Sequence, residues 1–221
     1  MSGRSGNRGL PRLVETFLAI FGLVCSAPVV VISALLIKLT SGGPVIFRQE
    51  RVGLNGRSFT LLKLRTMNSG SSSGPLVTAA NDCRITSIGR ILRRSKIDEL
   101  PELWNVVWGD MSIVGPRPEV PELVDLTNPV WDEILQFRPG LTDPVTLRLR
   151  NEEQLLADLQ ADESFYKNVV QPYKLRGYLN FLRKRTWMAD IKIMYRTLAA
   201  VISPKTAVPP SRNEMLWYLA E

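Results

Sequence analysis

Apolar residues run almost without interruption from Leu13 to Leu36, with Glu15 the one charge inside the run. As a helix rising about 1.5 Å per residue, the run would measure roughly 36 Å, enough to cross a bilayer core. A signal peptide has a shorter apolar core and a small-residue cleavage site; this run leads straight into Ile37-Lys38 and a basic segment. Pro28 sits mid-run, where it removes a backbone donor and crowds the preceding turn. Basic residues flank both ends, Arg4, Arg8 and Arg12 before and Lys38, Arg48, Arg51 and Arg57 after, and the positive-inside tendency would keep both flanks in the cytoplasm. Two topologies fit: an ordinary span with a tolerated proline, or a helix broken at Pro28 that enters and leaves through one leaflet. In the second, the Ser26 hydroxyl would bond a carbonyl freed by the break.

Beyond Gly42-Gly43 the pattern shortens. Pro44–Phe47 and Phe59–Leu62 read as strands joined by a turn at Leu54-Asn55-Gly56. Asn68–Pro75 is rich in Ser and Gly and reads as a mobile loop. Helical patterns cover Thr86–Arg94, Leu100–Trp108, Asn151–Leu159 and Ser164–Lys184, with a sharp turn at Gly115-Pro116. From Trp187 to Ile202 the apolar residues Trp187, Ile191, Met194, Leu198 and Ile202 form a helical stripe, accompanied by Lys184, Arg185, Lys192 and Arg196. The stripe would either lie among lipid headgroups or pack into the core. These elements predict an α+β fold: a mostly helical cytoplasmic domain with a short β-hairpin. They divide the chain into an N-terminal arm and membrane helix (1–40), a catalytic domain (41–203) and a tail (204–221).

The basic balance sharpens this picture. Lys and Arg outnumber Asp and Glu by 28 to 21, a net +7, which favours an anionic partner such as a phosphate ligand, lipid headgroup or nucleic acid. The 221 residues include no histidine, so acid–base or nucleophilic chemistry must use carboxylates, Ser, Thr, Lys, Tyr or a metal, and histidine-based triads are excluded. Cys25 and Cys83 form no disulfide framework, which suits a chain facing the cytosol.

Candidate chemistry concentrates in Arg93-Arg94-Ser95-Lys96-Ile97-Asp98-Glu99-Leu100-Pro101-Glu102-Leu103-Trp104. Pro101 marks a helix start, placing Asp98 and Glu99 at or just inside its N-terminus, where free amides and the macrodipole favour anions. Two adjacent carboxylates beside cations suit phosphoryl transfer, one attacking phosphorus or holding a metal while the cations offset oxygen charge. The plainer alternative makes Asp98 an N-cap and Glu99 a surface acid. Arg117, braced by Pro116 and Pro118, could aim a guanidinium at phosphate. Lys63 and Arg65 alternate on one face of a strand, and Arg138-Pro139-Gly140 forms another basic turn; each is a phosphate contact or a solvated cation.

Taken in order, these segments resemble the bacterial sugar transferases, specifically the monotopic phosphoglycosyl transferases, from about Val14 to Ile202. The resemblance rests on the proline-containing apolar helix, Phe47-Arg48-Gln49-Glu50-Arg51-Val52-Gly53, Lys63-Leu64-Arg65-Thr66-Met67 and Asp98-Glu99-Leu100-Pro101. It continues through Gly109-Asp110-Met111-Ser112, Val114-Gly115-Pro116-Arg117-Pro118 and Arg138-Pro139-Gly140. It implies that Asp98 attacks the sugar-linked phosphorus of a UDP-sugar, releasing UMP, and that a polyprenyl (undecaprenyl) phosphate then takes the phosphosugar from Asp98. It implies a magnesium ion (Mg2+) near Asp98 with Glu99 assisting metal binding or proton handling, Arg93 as a phosphate ligand, and no nucleic acid partner. The implied place is one leaflet of the bacterial inner membrane, catalytic domain in the cytoplasm, at the first membrane step of surface glycan assembly.

Three features depart from the family pattern. Ala27, not Ser, precedes Pro28, with Ser26 one residue earlier. After Arg138-Pro139-Gly140 the family continues Ile-Thr-Gly-Trp-Ala-Gln, but this chain reads Leu141-Thr142-Asp143-Pro144-Val145-Thr146, so family contacts beyond Arg138 do not carry over. The chain also has no room for the extra N-terminal helices of larger relatives and looks like the minimal catalytic form. The transferred sugar and the pathway are not readable, and a homo-oligomer through the C-terminal helices stays open. Rival readings are a non-catalytic basic membrane-binding protein and a degenerate scaffold.

Overall fold

The computed structural model describes residues 9–68, 82–159, 161–203 and 207–220. Helix α1 (Arg12–Thr40) is continuous through Pro28 and is, among the described residues, the one helix long and apolar enough to cross a membrane. Its outer face is bare: Leu13, Phe17, Phe21, Val24, Ile32, Leu35 and Leu39 are all exposed, whereas Glu15, Ala19, Ser33 and Ile37 are buried against the rest of the chain. Ser26 does not bond the carbonyl of Val24, the one Pro28 leaves without its i+4 donor; its hydroxyl donates to Leu23 (3.3 Å). From position 26 the side chain reaches back one turn, and Leu23 lies on that row.

Both ends of α1 are tied to one folded body. At the start, Arg12 donates to the carbonyls of Val106 and of Met111 (2.9 Å), and Glu15 Oε1 accepts from the Ile113 amide (3.2 Å). At the end, Ile37 packs in a cluster with Leu64 and Leu92, and Ser41 accepts from Arg65 through its carbonyl (2.7 Å) and hydroxyl (2.9 Å).

The hairpin β1 (Ile46–Val52) and β2 (Ser58–Leu64) pairs Ile46 with Leu64 through to Val52 with Ser58. Asn55 and Gly56, both at positive φ, close its turn, as Asn-Gly sequences do at little steric cost. Helix α2 (Ser87–Ser95) is capped by Thr86, whose hydroxyl accepts from Gly89 (2.9 Å), and α3 (Glu102–Trp108) ends at Gly109 in the left-handed region (φ 98). Asn105, fully buried, clamps α3 to β2: its Nδ2 donates to Thr60 (2.7 Å) and its Oδ1 accepts from Leu62 (3.1 Å).

Strands β3 (Ser112–Val114) and β4 (Gly140–Thr142) form a short parallel pair. A Cβ on Gly140 would lie 2.2 Å from the Gly115 nitrogen, so only glycine allows the two chains so close. Helices α4 (Pro129–Leu135), α5 (Pro144–Arg148), α6 (Glu152–Asp158), α7 (Glu163–Phe165) and α8 (Gln171–Lys184) follow, a π-helical turn (Tyr166–Val170) joining the last two. With β3 they enclose the main core around Val114, Trp131, Ile134, Val170, Tyr173 and Tyr178.

Helix α9 (Trp187–Ile202) occupies the predicted range. Of its stripe, Trp187, Ile191, Leu198 and Ile202 are exposed, joined by Met188 and Tyr195, and only Met194 packs against the core. The core alternative for the stripe is therefore overturned: Ile193 and Ala200, on the opposite face, are the residues turned inward. Helix α10 (Arg212–Ala220) docks through fully buried Met215. Apart from Asn68, the expected Ser/Gly-rich loop lies outside the described residues, as do Arg4 and Arg8.

Candidate active site

Lys96 adopts a left-handed conformation (φ 60) at the end of α2 and turns the chain into a single 3₁₀ turn, Ile97–Glu99. The turn closes through Glu99 N to Lys96 O (3.3 Å) and Leu100 N to Ile97 O (3.2 Å). Pro101 has no N–H for the i−4 bond an α-helix would need there, so α3 begins only at Glu102. Asp98 thus stands in a separate turn ahead of α3, where the sequence suggested a place at or just inside its N-terminus. The placement buries it, at 6% exposure.

Two distant segments deliver cations to this turn: β2 brings Lys63 and the proline-braced loop after β3 brings Arg117. Glu99 Oε1 is their meeting point, 3.2 Å from Lys63 Nζ, 2.5 Å from Arg117 Nη2 and 3.8 Å from Lys96 Nζ. Glu102, fully buried, holds Oε1 3.2 Å from Lys63 Nζ and 3.5 Å from Arg117 Nη2, yet neither of its oxygens makes a hydrogen bond. Among the described residues Asp98 has no ion pair of 4 Å or less, and its buried Oδ1 has no hydrogen-bond partner.

These surroundings separate the adjacent acids. Burial and the neighbouring Glu99 push Asp98 from 3.8 up to about 6, with Lys63, Lys96 and Arg93 opposing. Burial alone would raise Glu99 too, but Arg117, Lys63 and Lys96 overcome it and hold that carboxyl well below its usual range. Environments that drive paired carboxylates apart are how sites assign them different roles. Here Glu99 is the fixed anion that organises cations, and Asp98 the carboxylate that no cation claims.

The other expected contacts scatter. Arg93 donates through Nε to Thr66 Oγ1 (2.8 Å) and pairs through Nη1 with Glu153 of α6; its charge still acts on Asp98. Arg65 is buried and donates to Ser41 at the end of α1, so its described bonds hold the end of that helix. Arg138 donates through Nε to the Gly109 carbonyl (3.0 Å) at the end of α3. Ser26 and Pro28 stay within α1. Two residues enter that sequence reasoning missed. Glu102 lies three and four positions beyond Glu99 and Asp98, the helical spacing that returns a side chain to one face. Arg150 acts on Glu99 by its charge and keeps a buried Nε without a partner; it lies in the segment that departs from the family pattern, and no local signal marks it.

The family described as bacterial sugar transferase matches this chain over residues 6–204. The UDP-glucose:undecaprenyl-phosphate glucose-1-phosphate transferase of Caulobacter vibrioides is 36% identical over 202 residues, covering 89% of this chain and 71% of that protein. Exopolysaccharide production protein ExoY of Sinorhizobium fredii is 30% identical over 206 residues, 86% of this chain and 84% of its own. The UDP-N-acetylgalactosamine-undecaprenyl-phosphate N-acetylgalactosaminephosphotransferase of Aeromonas hydrophila is 40% identical over 117 residues, 52% of this chain and 28% of its own length.

Proposed function

The chain belongs to the bacterial sugar transferase family, and from that premise we propose that it moves a sugar 1-phosphate from a UDP-sugar to a membrane polyprenyl phosphate through a covalent intermediate on Asp98. The observation that carries this reading is a buried carboxylate oxygen without a partner, set beside cations that Glu99 gathers. The relatives' names supply the substrate class, undecaprenyl phosphate with a glucose or N-acetylgalactosamine donor; because those sugars differ, the donor here is decided by experiment.

In the first step an Asp98 oxygen attacks the sugar-linked phosphorus. The Asp98 O–P bond forms, the bond to the bridging oxygen breaks, and UMP leaves with that electron pair. In the second, an oxygen of the polyprenyl phosphate attacks the same phosphorus and Asp98 departs as carboxylate, yielding polyprenyl diphosphate sugar. The covalent stage lets two bulky anions react in turn rather than meet. Lys63 and Arg117 offset charge on the phosphate oxygens, and Glu99 keeps both in place.

Magnesium fits this donor set. It takes hard oxygens, commonly one or two carboxylates completed by substrate phosphate, and Asp98 Oδ1 is such an oxygen. Glu99 Oε1 is already shared by three cations, and among the described residues no three acidic side chains gather as a ready cage. Asp98 is therefore the residue that would hold the ion, which would supply further charge neutralisation on the diphosphate.

The membrane arrangement follows from how α1 is held. A helix whose two ends bond the same folded body cannot leave those ends on opposite sides of a bilayer. The anchors Arg12, Glu15 and Ser41 therefore support keeping both ends of α1 at one leaflet, on the cytoplasmic side where basic flanks belong, although the helix runs through Pro28 without the break that a dip and return would need. The exposed apolar face of α9, with Lys192 and Arg196 also exposed, supports an interfacial position for that helix. The test is UMP release from a panel of UDP-sugars by detergent-solubilised protein with magnesium and undecaprenyl phosphate. Release is expected for one donor and absent in Asp98→Asn; equal release by both forms would remove Asp98 as nucleophile.

A further inference from the structure

Glu102 is an anomaly within the cluster. It is fully buried at the first position of α3, neither of its carboxylate oxygens accepts a hydrogen bond, and its neighbours are the two cations that also serve Glu99. A buried carboxylate without hydrogen bonds is costly unless cations compensate it. Glu102 therefore draws on Lys63 and Arg117, the groups a donor diphosphate would need. Arg117 Nη1, buried and without a partner, shows that the guanidinium is not saturated by its two acids.

We propose that Glu102 is a positioning residue that competes with the substrate's phosphates for Lys63 and Arg117 and so limits how tightly the site holds the donor and the UMP it releases. The inference rests on the transferase reading above. In the resting site two cations are shared between Glu99 and Glu102. A bound diphosphate draws them away from Glu102, and once UMP forms, Glu102 recaptures them and helps the product leave. Without the second acid the same cations would bind anions more firmly, a gain for the ground state that does not accelerate the chemical step.

The experiment is calorimetric titration of UMP into the detergent-solubilised full chain at fixed salt and magnesium, comparing wild type with Glu102→Gln, which keeps shape and removes charge. The expected result is UMP binding about tenfold tighter in the variant, accompanied by a lower donor KM and a lower kcat. Glu102→Asp, which draws the carboxylate back from both cations by one methylene, is expected to show a smaller gain of the same sign. It carries the test if the Gln form does not fold. UMP affinity unchanged or weakened in a folded variant, with altered thermal stability alone, would make Glu102 merely structural and overturn the proposal. UMP bound by no form of the protein would overturn the transferase reading as well.

Discussion

Arg117 and Glu119 stand two residues apart on one proline-braced loop, yet each belongs to a different buried cluster of charges. Around Glu119 the carboxylate, Lys174 and Tyr166 satisfy one another, although Arg51 Nε beside them is buried without a hydrogen bond. Its Oε1 accepts from Lys174 Nζ (2.6 Å) and the Tyr166 hydroxyl (3.2 Å), Lys174 also bonds that hydroxyl (2.9 Å), and Arg51 lies 3.9 Å away. Around Arg117 the groups do not: Asp98 Oδ1, both Glu102 oxygens and Arg117 Nη1 are buried without hydrogen bonds. Burial alone would raise Glu119, but Lys174 and Arg51 overcome it and hold the carboxyl below its usual range, whereas Asp98 is pushed up. Buried polar groups left unsatisfied beside a satisfied network mark where a ligand completes the structure. The first cluster is closed on itself, and the second is the one in which the proposed transfer would seat the donor's phosphates.

The comparison breaks most visibly at its centres. Asp98→Asn is expected to cut UMP release on the order of 10⁴-fold or more, the scale of losing a nucleophile, with the far-UV circular dichroism unchanged. Lys174→Met should do the reverse in kind, destabilising the chain by about 2–4 kcal/mol because buried Glu119 loses its nearest cation and keeps only Arg51 at 3.9 Å, read by chemical unfolding. A Lys174→Met protein of wild-type stability would erase the distinction between the clusters.

The same contrast shows what a sequence can reveal. Helix α9 begins and ends where its apolar pattern does, and the hairpin follows its Asn-Gly turn, because local periodicity and turn chemistry act over neighbouring residues. Asp98 and Glu99 were singled out by the order of motifs around them, and the structure sets them beside cations from β2 and the Arg117 loop. Arg65 and Arg138 were read as phosphate contacts, but the described bonds of the first reach Ser41 and that of the second reaches Gly109; a conspicuous basic residue looks the same whether its partner is a phosphate or a carbonyl. Glu102 was passed over for a related reason: its spacing from Asp98 and Glu99 marks a shared face, but its meaning lies in complete burial against residues from β2 and the Arg117 loop. Charge placed by tertiary packing leaves no local trace.

Acidity separates the clusters more finely. Asp98 titrates near 3.8 unfolded and about 6 folded. Between those values the folded state keeps a proton that the unfolded state has lost, so stability falls as pH rises through the window and stays lower above it. Asp98→Asn should therefore be more stable than wild type at pH 7 to 8, by about 1–3 kcal/mol, while losing activity, a trade seen where sites are built against stability. Glu119, held low, contributes in the opposite sense: its stabilisation is present above the unfolded value of 4.5 and is lost as pH falls through the depressed folded one. Transfer itself should decline with falling pH, because protonated Asp98 cannot attack, and the decline should move to lower pH as magnesium is raised, since a cation at Asp98 favours the carboxylate; a rate independent of both would contradict that assignment.

The smallest effect concerns a cation between the two extremes. Arg93 is paired, but with Glu153, whose side chain is 39% exposed, and it also reaches Thr66 (2.8 Å). A partly exposed pair of this kind contributes only about 0–1 kcal/mol, so Glu153→Gln should leave the unfolding midpoint nearly unchanged. If Arg93 exchanges Glu153 for a donor phosphate, removing the competing charge lowers the donor KM by about two- to threefold without altering kcat. That shift should fade at high ionic strength, where an exposed competitor is screened, while the effect of buried Glu102 persists. A Glu153→Gln enzyme with unchanged KM at low salt would confine Arg93 to bracing α2 against α6.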